Sequence, residues 1–162
     1  PLAVPHRNGA WGAQNKAADP NGWGSTRIVN PLYPLGYGLS YTTFDYGKLE
    51  IGPESLTTGE TLTVTCDVTN TGDRAGDEVV QLYIKDVIAS VAPYEQVLRG
   101  FERVSLEPGE TRTVRFELSP ERDLAMLDRD NEWVVEPGQF EAMVCTSSGE
   151  DGIRQKGVFT VH

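Results

Sequence analysis

Residues 61–70 read TLTVTCDVTN, and their alternation decides the fold class. Leu62, Val64, Cys66 and Val68 point one way while Thr61, Thr63, Thr65 and Asp67 point the other. That two-residue period is the mark of a strand with one face on a core and one in water. The run stops at Asn70-Thr71-Gly72-Asp73, a turn signal. Next outward, residues 77–85 (DEVVQLYIK) set Val80, Leu82 and Ile84 against Val79, Gln81 and Tyr83. Both sides are partly apolar, which predicts a central strand or one whose outer face meets another body. Further strands are predicted at 48–51, 96–105, 111–118, 132–135, 138–145 and 153–161.

Between them stand Gly52-Pro53, Pro108-Gly109 and Pro137-Gly138, which impose turns because proline fixes φ and glycine accepts a positive one. One helical signal interrupts the pattern at residues 119–124, where Ser119 suits an N-cap and Pro120 the first helical position. No long helical period exists that would cover a parallel sheet. The expected fold is therefore an all-β, immunoglobulin- or fibronectin type III-like antiparallel sandwich of seven or eight strands. Residues 1–30 show neither strand nor helix period and read as an extended loop or linker; 31–46 form an aromatic junction, and 47–162 the sandwich.

The chain has 162 residues, 38% hydrophobic and 23% charged, with a formal net charge of −10. One domain of ordinary globular composition is the default at this size. An acidic balance argues against nucleic acid as a partner, since affinity there comes from lysine and arginine displacing counterions. No window approaches the roughly 18 uninterrupted apolar residues of a membrane helix, and no basic start leads into an apolar stretch. The first residue is Pro1 rather than Met, which suggests a cut end with further sequence upstream. Cytoplasm, periplasm and exterior are all compatible with this composition.

Cys66 and Cys145 match no metal or redox spacing, and their registers place them on opposite faces, so a disulfide is not expected. The two histidines, His6 and His162, lie near the chain's ends, which disfavours a Ser/His/Asp triad. The nucleophile-elbow, phosphate-loop, zinc-protease and dinucleotide fingerprints are all missing. Neither cofactor nor metal is expected. Trp11 and Trp23 in the leading loop could stack on sugar rings, though packing on a neighbouring domain is the favoured reading.

At residues 31–46, PLYPLGYGLSYTTFDY, the sequence resembles the junction that precedes the C-terminal domain of family-three glycoside hydrolases. Pro31, Leu32, Tyr33, Pro34, Gly36, Tyr37, Gly38, Leu39, Ser40, Tyr41, Thr42 and Phe44 match that pattern, with Leu35 in place of the usual Phe. The likeness continues through VTNTGDRAGDEVVQLYIKD (68–86), LRGFERVSLEPGETRTVRFEL (98–118) and WVVEPGQFEAMV (133–144), which are similar to the family's fibronectin type III-like domain. Cys145 departs from it, standing where glycine is usual, and residues 1–30 show no match. On physical grounds, Tyr33, Leu35, Tyr37, Leu39, Tyr41 and Phe44 offer apolar area that seeks a partner surface. They are the candidate interdomain docking residues.

The resemblance implies hydrolysis of terminal β-linked glucose or xylose, with retention, from oligosaccharides or aryl β-glycosides. That chemistry needs two carboxyl groups about 5 Å apart, a nucleophile and an acid/base. The family carries them in an upstream barrel and α/β domain, so no catalytic residue is expected in this chain, and those domains are its expected partners, in cis or in trans. Glu50, Glu78, Asp86, Glu117 and Glu136 read as solvated faces of strands, and Asp77-Glu78 and Asp128-Arg129-Asp130 as surface rather than calcium sites. The alternative is a free-standing carbohydrate- or protein-binding module that uses Trp11, Trp23 or a sheet-face tyrosine such as Tyr83. An independent small glycosidase is the weakest reading.

Overall fold

A computed structural model describes residues 33–91 and 94–162. Seven strands of eight to eleven residues carry the fold: β1 (Phe44–Gly52), β3 (Leu62–Asn70), β4 (Gly76–Asp86), β5 (Val97–Leu106), β6 (Thr111–Leu118), β9 (Gly138–Cys145) and β10 (Ile153–Val161). Three two-residue strands join them, β2 (Ser55–Leu56), β7 (Met126–Leu127) and β8 (Trp133–Val134), with a helical turn, α1 (Pro120–Asp123), and a 3-10 turn at Glu150–Gly152. The order β1-β3-β6 makes one sheet and β2-β10-β9-β4-β5 the other, while β7 and β8 pair as a small hairpin. This is the expected all-β sandwich.

The core lies between the two sheets, and the period-two sequence pattern fills it. Along β3, Leu62, Val64, Cys66 and Val68 are buried and the residues between them are not. Facing them from the larger sheet are Val80, Leu82, Phe140, Ala142, Val144, Phe159 and Val161, with Phe140 and Phe159 stacked at 5.5 Å between ring centroids. Each fully buried side chain of this kind contributes about 1.5–3 kcal/mol of transfer free energy, which fixes the register, since a one-residue slip would turn the whole set outward.

One polar residue sits inside this apolar frame. Asn70, at the end of β3, is fully buried. Its Oδ1 accepts from Thr42 Oγ1 (2.8 Å) and Gly72 N (3.0 Å), and its Nδ2 donates to Arg74 O (2.8 Å) and Leu106 O (2.9 Å). Every hydrogen-bonding site of the amide is used, so its desolvation is offset, and three segments are tied together: the approach to β1, the turn after β3 and the end of β5.

The elements depart from the sequence expectation in four places. β1 begins at Phe44, four residues before the predicted start, so Phe44 and Tyr46 belong to the sandwich. β2 was not expected; two residues are too few to display a period, and they are held by parallel pairing of Ser55 and Leu56 with Thr160 and Val161. The predicted strand at 132–135 shrinks to Trp133–Val134, paired with Met126–Leu127. At α1 the Ser119 hydroxyl makes no cap; instead Asp123 Oδ2 accepts from Ser119 N at 2.8 Å.

Candidate docking surface

The sandwich has a second, smaller apolar cluster on the outer face of its larger sheet. Tyr83, Met143 and Cys145 are buried there, with Leu98 and Ile153 packed against them. The cluster follows from the double-sided apolar pattern of β4. The binding-module alternative places Tyr83 on an open sheet face, and here it is corrected: Tyr83 is 1% exposed, so its ring cannot stack on a sugar. Burial, with the nearby Cys145, pushes its hydroxyl up to about 12. That hydroxyl donates to Gln81 Oε1 at 2.8 Å.

Gln81 is the link between this face and the chain's leading segment. Its Nε2 donates to Thr146 O (2.7 Å) and to Gly36 O (3.1 Å), and the residue is 4% exposed. Beside it, Ser148 N donates to Leu35 O at 2.8 Å. Pro34-Leu35-Gly36-Tyr37 closes as a tight turn, Tyr37 N donating to Pro34 O at 3.1 Å, with Gly36 at φ 76°. A positive φ at the third position is the type II arrangement, which glycine adopts without steric cost. Gly36 is required for a second reason: a Cβ there would overlap the Gln81 side chain. The segment is therefore latched to the sheet.

On the far side of this latch the apolar side chains face outward. Tyr33, Leu35, Tyr37, Leu39 and Tyr41 are all exposed, Leu39 and Tyr41 almost completely. Tyr33 and Tyr37 pack on each other at 5.1 Å between centroids, and with Gly38 and Leu39 they line a shallow, open hollow. The sixth expected docking residue behaves differently: Phe44 is half-buried and packs on the main core. Trp11 and Trp23 lie outside the described residues. The sequence reading missed Gln81, because a lone glutamine on the outward side of a strand looks like any solvated residue.

The carboxylates singled out in the sequence are spread over several strands, with Asp86 and Glu136 near each other. Glu50 is exposed on β1, and Glu117 pairs with Arg115 on the solvent side of β6. Asp77 is engaged by Ser105 and Arg103, which hold its carboxyl below the ordinary range. Burial raises Glu78 and Asp86, the latter also through the charge of Glu136, whose carboxylate accepts from Ser90 N and Ser90 Oγ. Among the described residues no group of three His, Cys, Asp or Glu side chains is placed to hold a metal ion. Cys66 and Cys145 are free thiols in different clusters, and burial pushes them up to about 11 and about 12.

Comparison with known proteins converges on one group. The sequence profile of the fibronectin type III-like domain matches residues 78–148. A β-xylosidase of Formosa agariphila is 48% identical over 124 residues, and a β-glucosidase of Bacteroides ovatus 41% over 128, covering 76% and 79% of this chain. The chain spans only 17% of the length of each. Among solved structures, a β-glucosidase from Erythrobacter marinus superposes with a TM-score of 0.75 at 45% identity, covering 82% of this chain and 17% of its own. A β-glucosidase of Thermotoga neapolitana, solved with α-D-glucose, gives 0.73 at 43% identity over 82% of this chain and 18% of its own. The chain thus belongs to the fibronectin type III-like domains found in β-glucosidases and β-xylosidases of glycoside hydrolase family three.

Proposed function

We propose that this chain is the C-terminal accessory domain, with its preceding linker, of a retaining β-glycosidase that releases terminal β-linked glucose or xylose from oligosaccharides and aryl β-glycosides. The catalytic carboxylates lie in a barrel and an α/β domain outside this chain, joined in cis or supplied in trans. The domain's own work is mechanical. It buries apolar surface of the catalytic body and fixes the body's position against a rigid wall of β-sheet.

The observation that carries this reading is the aromatic ridge. Tyr33, Leu35, Tyr37, Leu39 and Tyr41 expose their apolar area on a segment that is latched at Gly36 by Gln81. Aromatic surface displayed on a pre-ordered backbone binds with little further loss of entropy, the arrangement expected of an interface rather than of a solvated tail. Support also comes from the relatives, in which a stretch like this one makes up a small part of a much longer enzyme.

The test compares the 162-residue chain with the longer enzyme. The chain alone should release no aryl alcohol from aryl β-glucosides or β-xylosides. In the longer enzyme, Tyr37→Glu combined with Leu39→Glu should shorten the half-life of activity on heating. Turnover by the isolated chain would overturn the proposal, as would a doubly substituted enzyme that inactivates at the original rate.

A further inference from the structure

The latch covers only part of the larger sheet's outer face. In register across that face, Ile153 pairs with Cys145, Cys145 with Gln81, and Gln81 with Phe101 on β5. Directly opposed residues in antiparallel strands project to the same side, so this row of four shares one surface. Ile153 is half-buried, Cys145 and Gln81 are buried, and Phe101 is 69% exposed. Cover by the leading segment and the 146–149 loop ends at Gln81, leaving a phenylalanine uncovered on the next strand. Val79, one row further along the same face, is also exposed.

Among the described residues β5 is an edge strand, paired only with β4. A large apolar side chain beside an open row of backbone donors and acceptors is a liability unless something covers it. The surface is also continuous with the ridge, because the amide that holds Gly36 stands directly opposite Phe101.

The geometry points to Phe101, with Val79, as the sandwich's own half of the interdomain contact, occupied by the catalytic body of the longer enzyme. This rests on the function proposed above. The occupant follows from where the chain arrives. The segment leading into the sandwich is bonded to this face at Leu35 and Gly36, so a body joined to the domain through that segment is held to it at a high effective concentration. Relatives of this chain are nearly six times its matched length, which supplies a body of sufficient size. The catalytic body would then rest on two supports, the ridge and the sheet edge.

The experiment reads opening of the sandwich inside the intact enzyme by pulsed alkylation of Cys66 and Cys145, both buried in the fold, along a temperature ramp with mass-spectrometric detection. Phe101→Glu should lower the labelling temperature in the intact enzyme toward that of the isolated 162-residue chain, and leave the isolated chain unchanged. Trp133→Glu, at another exposed aromatic, should move neither. If Phe101→Glu has no effect while Tyr37→Glu lowers the labelling temperature, this inference fails and the accessory-domain reading stands. If neither acts, both fail. An isolated chain that is a dimer and becomes a monomer on Phe101→Glu would assign the face to a second copy and overturn the inference. So would an isolated chain in which deletion of residues 1–32 reproduces the shift, since the cover would then be the chain's own leader.

Discussion

The side-chain amide of Gln81 donates to the carbonyl oxygen of Gly36 across forty-five residues of sequence, at 3.1 Å, and leaves no room for a Cβ on the residue it holds. Position 36 is thereby constrained twice, by its positive φ and by the amide above it. Gly36→Ala should cost about 1–3 kcal/mol, from backbone strain plus displacement of Gln81. The local readout is the Ser148 amide, which donates to Leu35 O. Its hydrogen exchange should accelerate strongly while amides in β3 keep their protection. An unchanged Ser148 rate would show that the latch does not hold the segment.

Asn70→Ala should be among the most damaging single changes in the sandwich. It removes four hydrogen bonds and leaves Leu106 O without the Asn70 donor in a buried setting. A loss of about 2–4 kcal/mol is expected, seen as a lower urea midpoint at unchanged slope. A loss under about 1 kcal/mol would mean that water replaces the amide at this crossing point.

Both thiols should be inert in the folded state. With burial holding Cys66 at about 11 and Cys145 at about 12, the reactive thiolate at pH 8 amounts to about one part in a thousand or less. A chromogenic disulfide reagent should find no thiol in the native chain and both after unfolding in guanidinium. Rapid reaction of one native thiol would place that cysteine at the surface.

Acid should weaken the fold partly through Asp123. Burial alone would raise this carboxyl, but hydrogen bonds from Arg122 and Ser119 N and the charges of Arg122 and Arg99 outweigh it and leave it below the ordinary range. A group that holds protons less tightly folded than unfolded stabilises above the unfolded value, and the contribution is lost as pH falls through the folded one. Asp123→Asn should therefore be less stable than the original chain at pH 7, with the gap narrowing as the pH falls below the ordinary carboxylate range. Glu78 and Asp86, raised by burial, act in the opposite sense and temper the acid loss. Equal urea midpoints for Asp123→Asn and the original chain at pH 7 would remove Asp123 from this account.

The sandwich was legible because its strands are long enough to show their period. TLTVTCDVTN declares its buried face unaided, and β6 and β9 do the same. β4 declared something subtler, apolar residues on both sides, and the structure explains both: one face fills the core, the other the small cluster around Tyr83. What covers that cluster was not legible. Tyr83 packs with Met143, Cys145, Leu98 and Ile153, and residues 146–149 and the turn at Gly36 come onto the same face through Gln81, contacts set by register and loop path rather than by neighbours in sequence. Phe101 shows the same limit from the other side. It sits in an ordinary strand, and only pairing with Gln81 places it next to the ridge. The ridge itself was readable as a density of aromatic residues, except for Phe44, whose strand began earlier than its neighbours suggested.

β10 lies inside the larger sheet, between β9 and the short parallel β2, and contributes Phe159 and Val161 to the core. The ribosome delivers that strand after all the others. Until residue 161 clears the exit tunnel the larger sheet has a gap between β2 and β9, and the apolar faces already synthesised have no complete surface to close on. Folding of this domain thus waits on the emergence of β10, and a nascent chain stalled anywhere within that strand would present an open sheet to chaperones and proteases.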